Sequence, residues 1–132
     1  SLANWGEALR AAFLRPDLSL AGLDALAARF VADCIAGNDR AQGWPGTTYG
    51  VSKAAVHALT RVCARDVAAL VPDATGVTVN VCCPGWCKSD MAGWDKPTKT
   101  AAEGADTPVW LALGGAGAAT GRFFSDRKER GW

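Results

Sequence analysis

Apolar residues recur along this chain first at helical and then at strand spacing. Asn4–Leu14 predicts a helix stopped near Pro16, which cannot continue it. Ser19 is placed to cap a second helix, whose stripe Leu23, Leu26, Ala27, Phe30, Val31 and Cys34 follows the i, i+3, i+4, i+7 spacing of one face; Gly37 ends it. A third helix opens at Tyr49 and runs to about Leu70. A turn at Pro72–Gly76 then leads into a strand, Val77–Cys83, closed by a loop from Pro84 to Met91. Thr100-Ala101-Ala102-Glu103 is a capping box for a helix carrying Val109, Leu111 and Leu113, which Pro108 kinks or truly begins. Gly114-Gly115-Ala116-Gly117 reads as a flexible loop, Thr120–Asp126 as a short last strand centred on Arg122–Ser125, and Arg127–Trp132 as a charged tail. Helix, strand and Pro-Gly loop in this order make a βαβ half-unit with a ligand crevice at the strand's carboxyl end.

Composition narrows the partners. A net charge of +1 with both signs interspersed argues against nucleic acid or an acidic membrane surface. No apolar run reaches the length of a membrane span and no signal-type segment opens the chain, so the expectation is a soluble, cytoplasmic protein. The five cysteines are odd in number and irregularly spaced, as expected of reduced thiols. Cys82, Cys83 and Cys87 with His57 raise a metal site, but adjacent strand residues point to opposite faces, so Cys82 and Cys83 cannot readily share one ion; no metal is expected.

The chemistry is concentrated in Tyr49-Gly50-Val51-Ser52-Lys53. Residues four apart share a helical face, with Cβ atoms about 5–6 Å apart. A cation held beside a phenol favours the phenolate, which suits proton donation to a carbonyl or removal from an alcohol. The same spacing also occurs by chance on solvated helices, and the Pro84-Gly85 turn alone would be an ordinary strand ending.

Taken together, Tyr49 to Lys53, Cys82-Cys83-Pro84-Gly85-Trp86, Ser89-Asp90-Met91-Ala92-Gly93 and Glu103 to Leu113 resemble the short-chain dehydrogenases/reductases, and within them the monomeric NADPH-dependent carbonyl reductases. The resemblance is close from Gly43 to Trp132 and loose before it. It implies the carboxyl-terminal part of a Rossmann-like, doubly wound parallel α/β sheet. The family's domain is about twice this length, and no glycine-rich fingerprint stands at a strand–helix junction in the 132 residues, so the amino-terminal dinucleotide-binding half is expected to be missing. One incomplete domain follows, with residues 1–45 a helical insertion before the tyrosine and residues 46–132 the catalytic helix, strand, Pro-Gly loop and last strand.

By the same resemblance Tyr49 donates a proton as hydride reaches the carbonyl carbon, Lys53 holds the nicotinamide ribose, and a serine orients the carbonyl. Ser1 is the candidate for that serine. Pro84 and Gly85 support the nicotinamide, Trp86 and Cys87 contact its carboxamide, and Ser89 replaces the family's usual threonine. Trp44, Trp86 and Trp94 are candidate walls for a small aromatic or quinone-like carbonyl substrate, although buried tryptophans equally often only fill volume. The helical insertion implies a monomer, and NADPH is taken from the resemblance. Three readings remain open: a carbonyl reductase, a truncated non-catalytic fragment, and a related reductase of steroid, prostaglandin or alkaloid ketones. Residues 1–132 by themselves are expected to be inactive.

Overall fold

The computed structural model describes residues 2, 4–70 and 76–131. The elements are α1 (Glu7–Leu14), α2 (Leu20–Ile35), α3 (Thr48–Leu70), β1 (Val81–Cys83), α4 (Ala101–Ala112), β2 (Phe123–Ser125) and β3 (Lys128–Arg130). The expected turn at Pro72–Gly76 lies, apart from Gly76, outside the described residues.

The helix signals act as their chemistry requires. Ser19 Oγ accepts the Gly22 N–H at 3.1 Å, and at the other end of α2 the Gly37 and Asn38 N–H groups return to Cys34 and Asp33. This pattern satisfies carbonyls that the helix would otherwise leave bare. Thr47 Oγ1 accepts from Gly50 N at 3.0 Å at the start of α3. Thr100 and Glu103 complete the capping box of α4, and Pro108 falls inside that helix rather than at its first turn. α1 starts later than its composition predicts, at Glu7, because Trp5 N–H turns back to Leu2 O and Gly6 N–H is taken by Gly43 O at 2.8 Å.

The core lies where α1 and α2 pack on α3. Trp44 is its centre: edge contacts to Trp5 and Phe13 and a tilted contact to Phe30 surround it, with ring centroids 5.0–6.2 Å apart. Its indole N–H donates to Asp33 at 2.8 Å, so the buried polar atom is satisfied. Two arginines of α3 close the end of α1: Arg61 donates to the carbonyls of Phe13 and Leu14, and Arg65 to those of Pro16 and Leu18. Of the stripe expected on α2, Leu23, Leu26 and Phe30 meet this core. Ala27, Val31 and Cys34 are exposed, since the helix is apolar over a wider arc than one face can bury.

The sheet has the order β1-β2-β3. β1 and β2 are parallel, in the register Val81↔Phe123, Cys82↔Phe124, Cys83↔Ser125. The strand expected over Val77–Cys83 is confined to its last three residues. Ahead of them the Asn80 and Thr120 side chains replace ladder bonds, Asn80 Oδ1 accepting from Arg122 N at 3.0 Å and Thr120 Oγ1 from Val79 N at 3.0 Å. The charged tail expected over Arg127–Trp132 is instead an antiparallel edge strand, β3, joined to β2 through Asp126 and Arg127 with φ of 53° and 56°. Positive φ at both central residues is the turn geometry that matches strand twist. All three β3 residues are exposed, a charged edge whose polarity hid it in the sequence.

Neighbouring strand residues face opposite ways. Phe123 meets His57 of α3 at 4.5 Å, whereas Phe124 meets Trp110 of α4 at 5.6 Å. The sheet is therefore the middle layer, with α3 on one face and α4 on the other.

Candidate active site

The direction of α3 decides where Tyr49 lies. His57 packs on Phe123, and a Cβ placed on Gly121 would meet Ala64 at 3.4 Å, so the helix advances as β2 recedes. It runs antiparallel to β1 and β2. Tyr49, eight residues before His57, is about 12 Å further along at 1.5 Å per residue, on the side of the strands' carboxyl ends. Lys53 is about 40° and Tyr49 about 80° around the helix from His57, so all three share one broad face.

Tyr49 and Lys53 do stand together: the ammonium lies 5.5 Å from the centre of the phenol ring. Tyr49 is 69% exposed and Lys53 is exposed, so both polar tips are open to a ligand. The Ser52 hydroxyl donates to the Tyr49 carbonyl at 2.9 Å. The single histidine, His57, is half-buried against Phe123, and burial pushes its pKa below the ordinary imidazole value.

The Pro84–Trp86 segment leaves β1 at that same end and is exposed. Gly85 adopts φ +84°, a conformation other residues rarely take. Cys87 is fixed from below: its Sγ sits against Gly104 of α4, where a Cβ would overlap it, and donates weakly toward the carbonyls of Pro84 at 3.5 Å and Gly85 at 3.7 Å. Ser89 Oγ accepts from Ala92 N at 3.2 Å within a tight turn to Gly93, and retains its own proton to donate. Trp86 and Trp94 are 52% and 61% exposed. Trp44 is 2% exposed, so of the two roles open to it the structure gives it the core and leaves no surface for a substrate. Ser1 lies outside the described residues.

Lys99 and Asp126, which no motif in the sequence singles out, also meet at this end. Lys99 Nζ is 2.5 Å from Asp126 Oδ1. The Asp126 carboxylate holds the lysine above its ordinary range, and Lys99 in turn holds Asp126 below the usual carboxylate range. Behind them Arg127 forms a two-point ion pair with Asp106 of α4, Nε to Oδ2 at 2.7 Å, which depresses the Asp106 carboxyl. The only sequence signal for Lys99 is its place directly before the Thr100 cap. In a groove of about 390 Å³ beside α4, lined by Val109, Trp110, Leu113, Asp106 and Arg127 among others, the two charged residues are already paired with each other.

A mixed sheet with a parallel β1–β2 pair between helices, with titratable and glycine-turn residues gathered at the carboxyl ends of that pair, defines an α/β protein of the open-sheet, ligand-crevice class. Residues 34–100, just over half of the chain, match the family described as short chain dehydrogenase, and the chain belongs to that family. It is 42% identical over 106 residues to carbonyl reductase (NADPH) 1 of Rattus norvegicus, covering 79% of this chain and 38% of that protein. To carbonyl reductase (NADPH) 1 of Bos taurus it is 37% identical over 134 residues, covering all of this chain and 48% of the relative. The solved structure of salutaridine reductase from Papaver somniferum superposes with a TM-score of 0.77 at 30% identity, over 96% of this chain and 41% of that one. The chain thus spans less than half the length of each, and the three-stranded sheet is a partial Rossmann fold. Among the described residues no helix is long and apolar enough to cross a membrane.

Proposed function

We propose that this chain supplies the proton-donating and nicotinamide-holding part of an NADPH-dependent reductase of small carbonyl compounds, ketones, aldehydes or quinones. The observation that carries the reading is the placement of Tyr49 and Lys53 on one face of α3, at the end where Pro84 and Gly85 leave β1. Relatives named as NADPH carbonyl reductases support it.

The residues fit such a cofactor. Gly85 presents an exposed backbone, Lys53 an exposed ammonium for ribose hydroxyls, and Ser89 a remaining hydroxyl proton. When bound, the reduced nicotinamide would supply the hydride. Tyr49 would pass its phenolic proton to the substrate oxygen in the same step, sparing an unstabilised alkoxide. Pro84 to Cys87 would hold the ring in place, and Trp86 and Trp94 would offer flat apolar walls to the substrate. Ser1 is the proposed carbonyl-orienting serine. In this reading residues 1–45 are a helical insertion that covers the surface through which relatives would pair, leaving a cytoplasmic monomer, and residues 46–132 carry the chemistry.

A second reading, a related reductase acting on steroid, prostaglandin or alkaloid ketones, is favoured by the match to a structure named as a salutaridine reductase. Both readings share the Tyr49 step. The test is NADPH-dependent reduction of a quinone by the polypeptide as its gene encodes it, including any sequence that flanks these residues. Tyr49→Phe abolishing turnover while leaving NADPH binding intact is the expected result; undiminished turnover would refute the role.

A further inference from the structure

We propose that Lys99 is a positioning residue that sets the shape of the Pro84-Gly85-Trp86 loop, held in place by Asp126. The consequence for cofactor rests on the function proposed above; the geometry does not.

Lys99 meets the loop with both backbone and side chain. Its N–H donates to Trp86 O at 3.1 Å and its carbonyl accepts from Lys88 N at 2.8 Å, a short parallel bridge that fixes the chain on the far side of Gly85. Its stem then crosses Gly85 itself: a Cβ there would lie 3.0, 3.1 and 3.2 Å from Cδ, Cε and Nζ of Lys99. The bare α-carbon of Gly85 is thus the seat of the lysine stem, and the positive φ alone does not account for the glycine. The ammonium ends on Asp126 at 2.5 Å.

Asp126 is itself held. It is the first residue of the β2–β3 turn, and the next residue, Arg127, is fastened to α4 through the Asp106 ion pair and through Arg127 N–H donating to the Thr107 hydroxyl at 3.2 Å. The path runs from α4 through the hairpin turn to Lys99 and onto Gly85, while Cys87 in the Gly104 notch secures the loop from the other side. An ion pair this open to solvent contributes little alone. Its value here is directional: it lays the stem across the glycine, where two backbone bonds already fix the same residue.

The test is amide hydrogen exchange by NMR on residues 1–132, which requires no cofactor. Lys99→Ala is expected to speed exchange at the two amides that donate in the bridge, those of Lys88 and of residue 99 itself, by about tenfold while the α2 amides stay as they were, because local opening is separable from global unfolding. Lys99→Met, which keeps the stem and loses the charge, is expected between the two, and Lys99→Arg close to the parent. Unchanged loop exchange in Lys99→Ala overturns the proposal, as does failure of Lys99→Arg to restore it. Should Lys99→Ala also lose α2 protection, Lys99→Met decides: a faster loop supports the proposal and parental exchange overturns it. In the gene-encoded polypeptide, Lys99→Met should raise KM for NADPH more than it lowers kcat. A parent protein with no NADPH-dependent activity would remove the proposed function and leave the exchange result for Lys99 standing.

Discussion

Tyr49 and Lys53 satisfy at residue level what their spacing required, adjacent polar groups with their tips in solvent rather than in the core. General acid catalysis by such a group contributes about 10²–10⁴-fold. Steady-state kinetics of Tyr49→Phe should therefore show kcat falling by about that range, and Lys53→Met should damage both kcat and the KM for cofactor. His57 gives a separate, signed expectation. Its folded pKa is lowered by burial, so below the ordinary imidazole value the unfolded state binds the extra proton and the fold loses stability as pH falls. Urea midpoints measured from about pH 7 down to about pH 5.5 should decline in the parent and decline less in His57→Gln. Equal slopes would mean that imidazole burial contributes nothing.

The elements carry their own tests. Trp44→Ala removes the ring at the meeting point of α1, α2 and α3 and leaves Asp33 without its indole donor, so it should cost about 3–5 kcal/mol in chemical denaturation. Thr100→Ala breaks the capping box of α4 and should cost about 1 kcal/mol. The caps were legible because each rests on a residue type and a fixed offset: Ser19, Gly37, Thr100 and Glu103 act locally. β3 was not legible, since Lys128, Glu129 and Arg130 carry no apolar alternation and pair only because Asp126 and Arg127 turn the chain. The shortening of β1 was hidden for a similar reason, as only tertiary contact tells that Asn80 and Thr120 bond through their side chains. Tyr49, Lys53, Pro84 and Gly85 could be found by motif, whereas Lys99 and Asp126 could not: 27 positions separate them, and nothing local marks the pair. Trp44 was ambiguous because a tryptophan before proline reads alike in a core and in a substrate wall.

At the scale of the whole molecule, among the described residues β2 has partners on both sides and β1 on one. The helices complete a layer on each face of the sheet, and the candidate chemistry gathers at one end of it. In the proposed reading that end takes the nicotinamide, while the sequence offers no glycine fingerprint for the rest of a dinucleotide. Residues 1–132 alone are accordingly expected to give no saturable change in tryptophan fluorescence on titration with NADPH. The most direct measurement of the central claim is NADPH oxidation by the gene-encoded polypeptide with a quinone as acceptor, comparing the parent with Tyr49→Phe at saturating cofactor. The account predicts steady turnover in the parent and its near-complete loss in the variant, with NADPH affinity retained; equal turnover in the two proteins would contradict it.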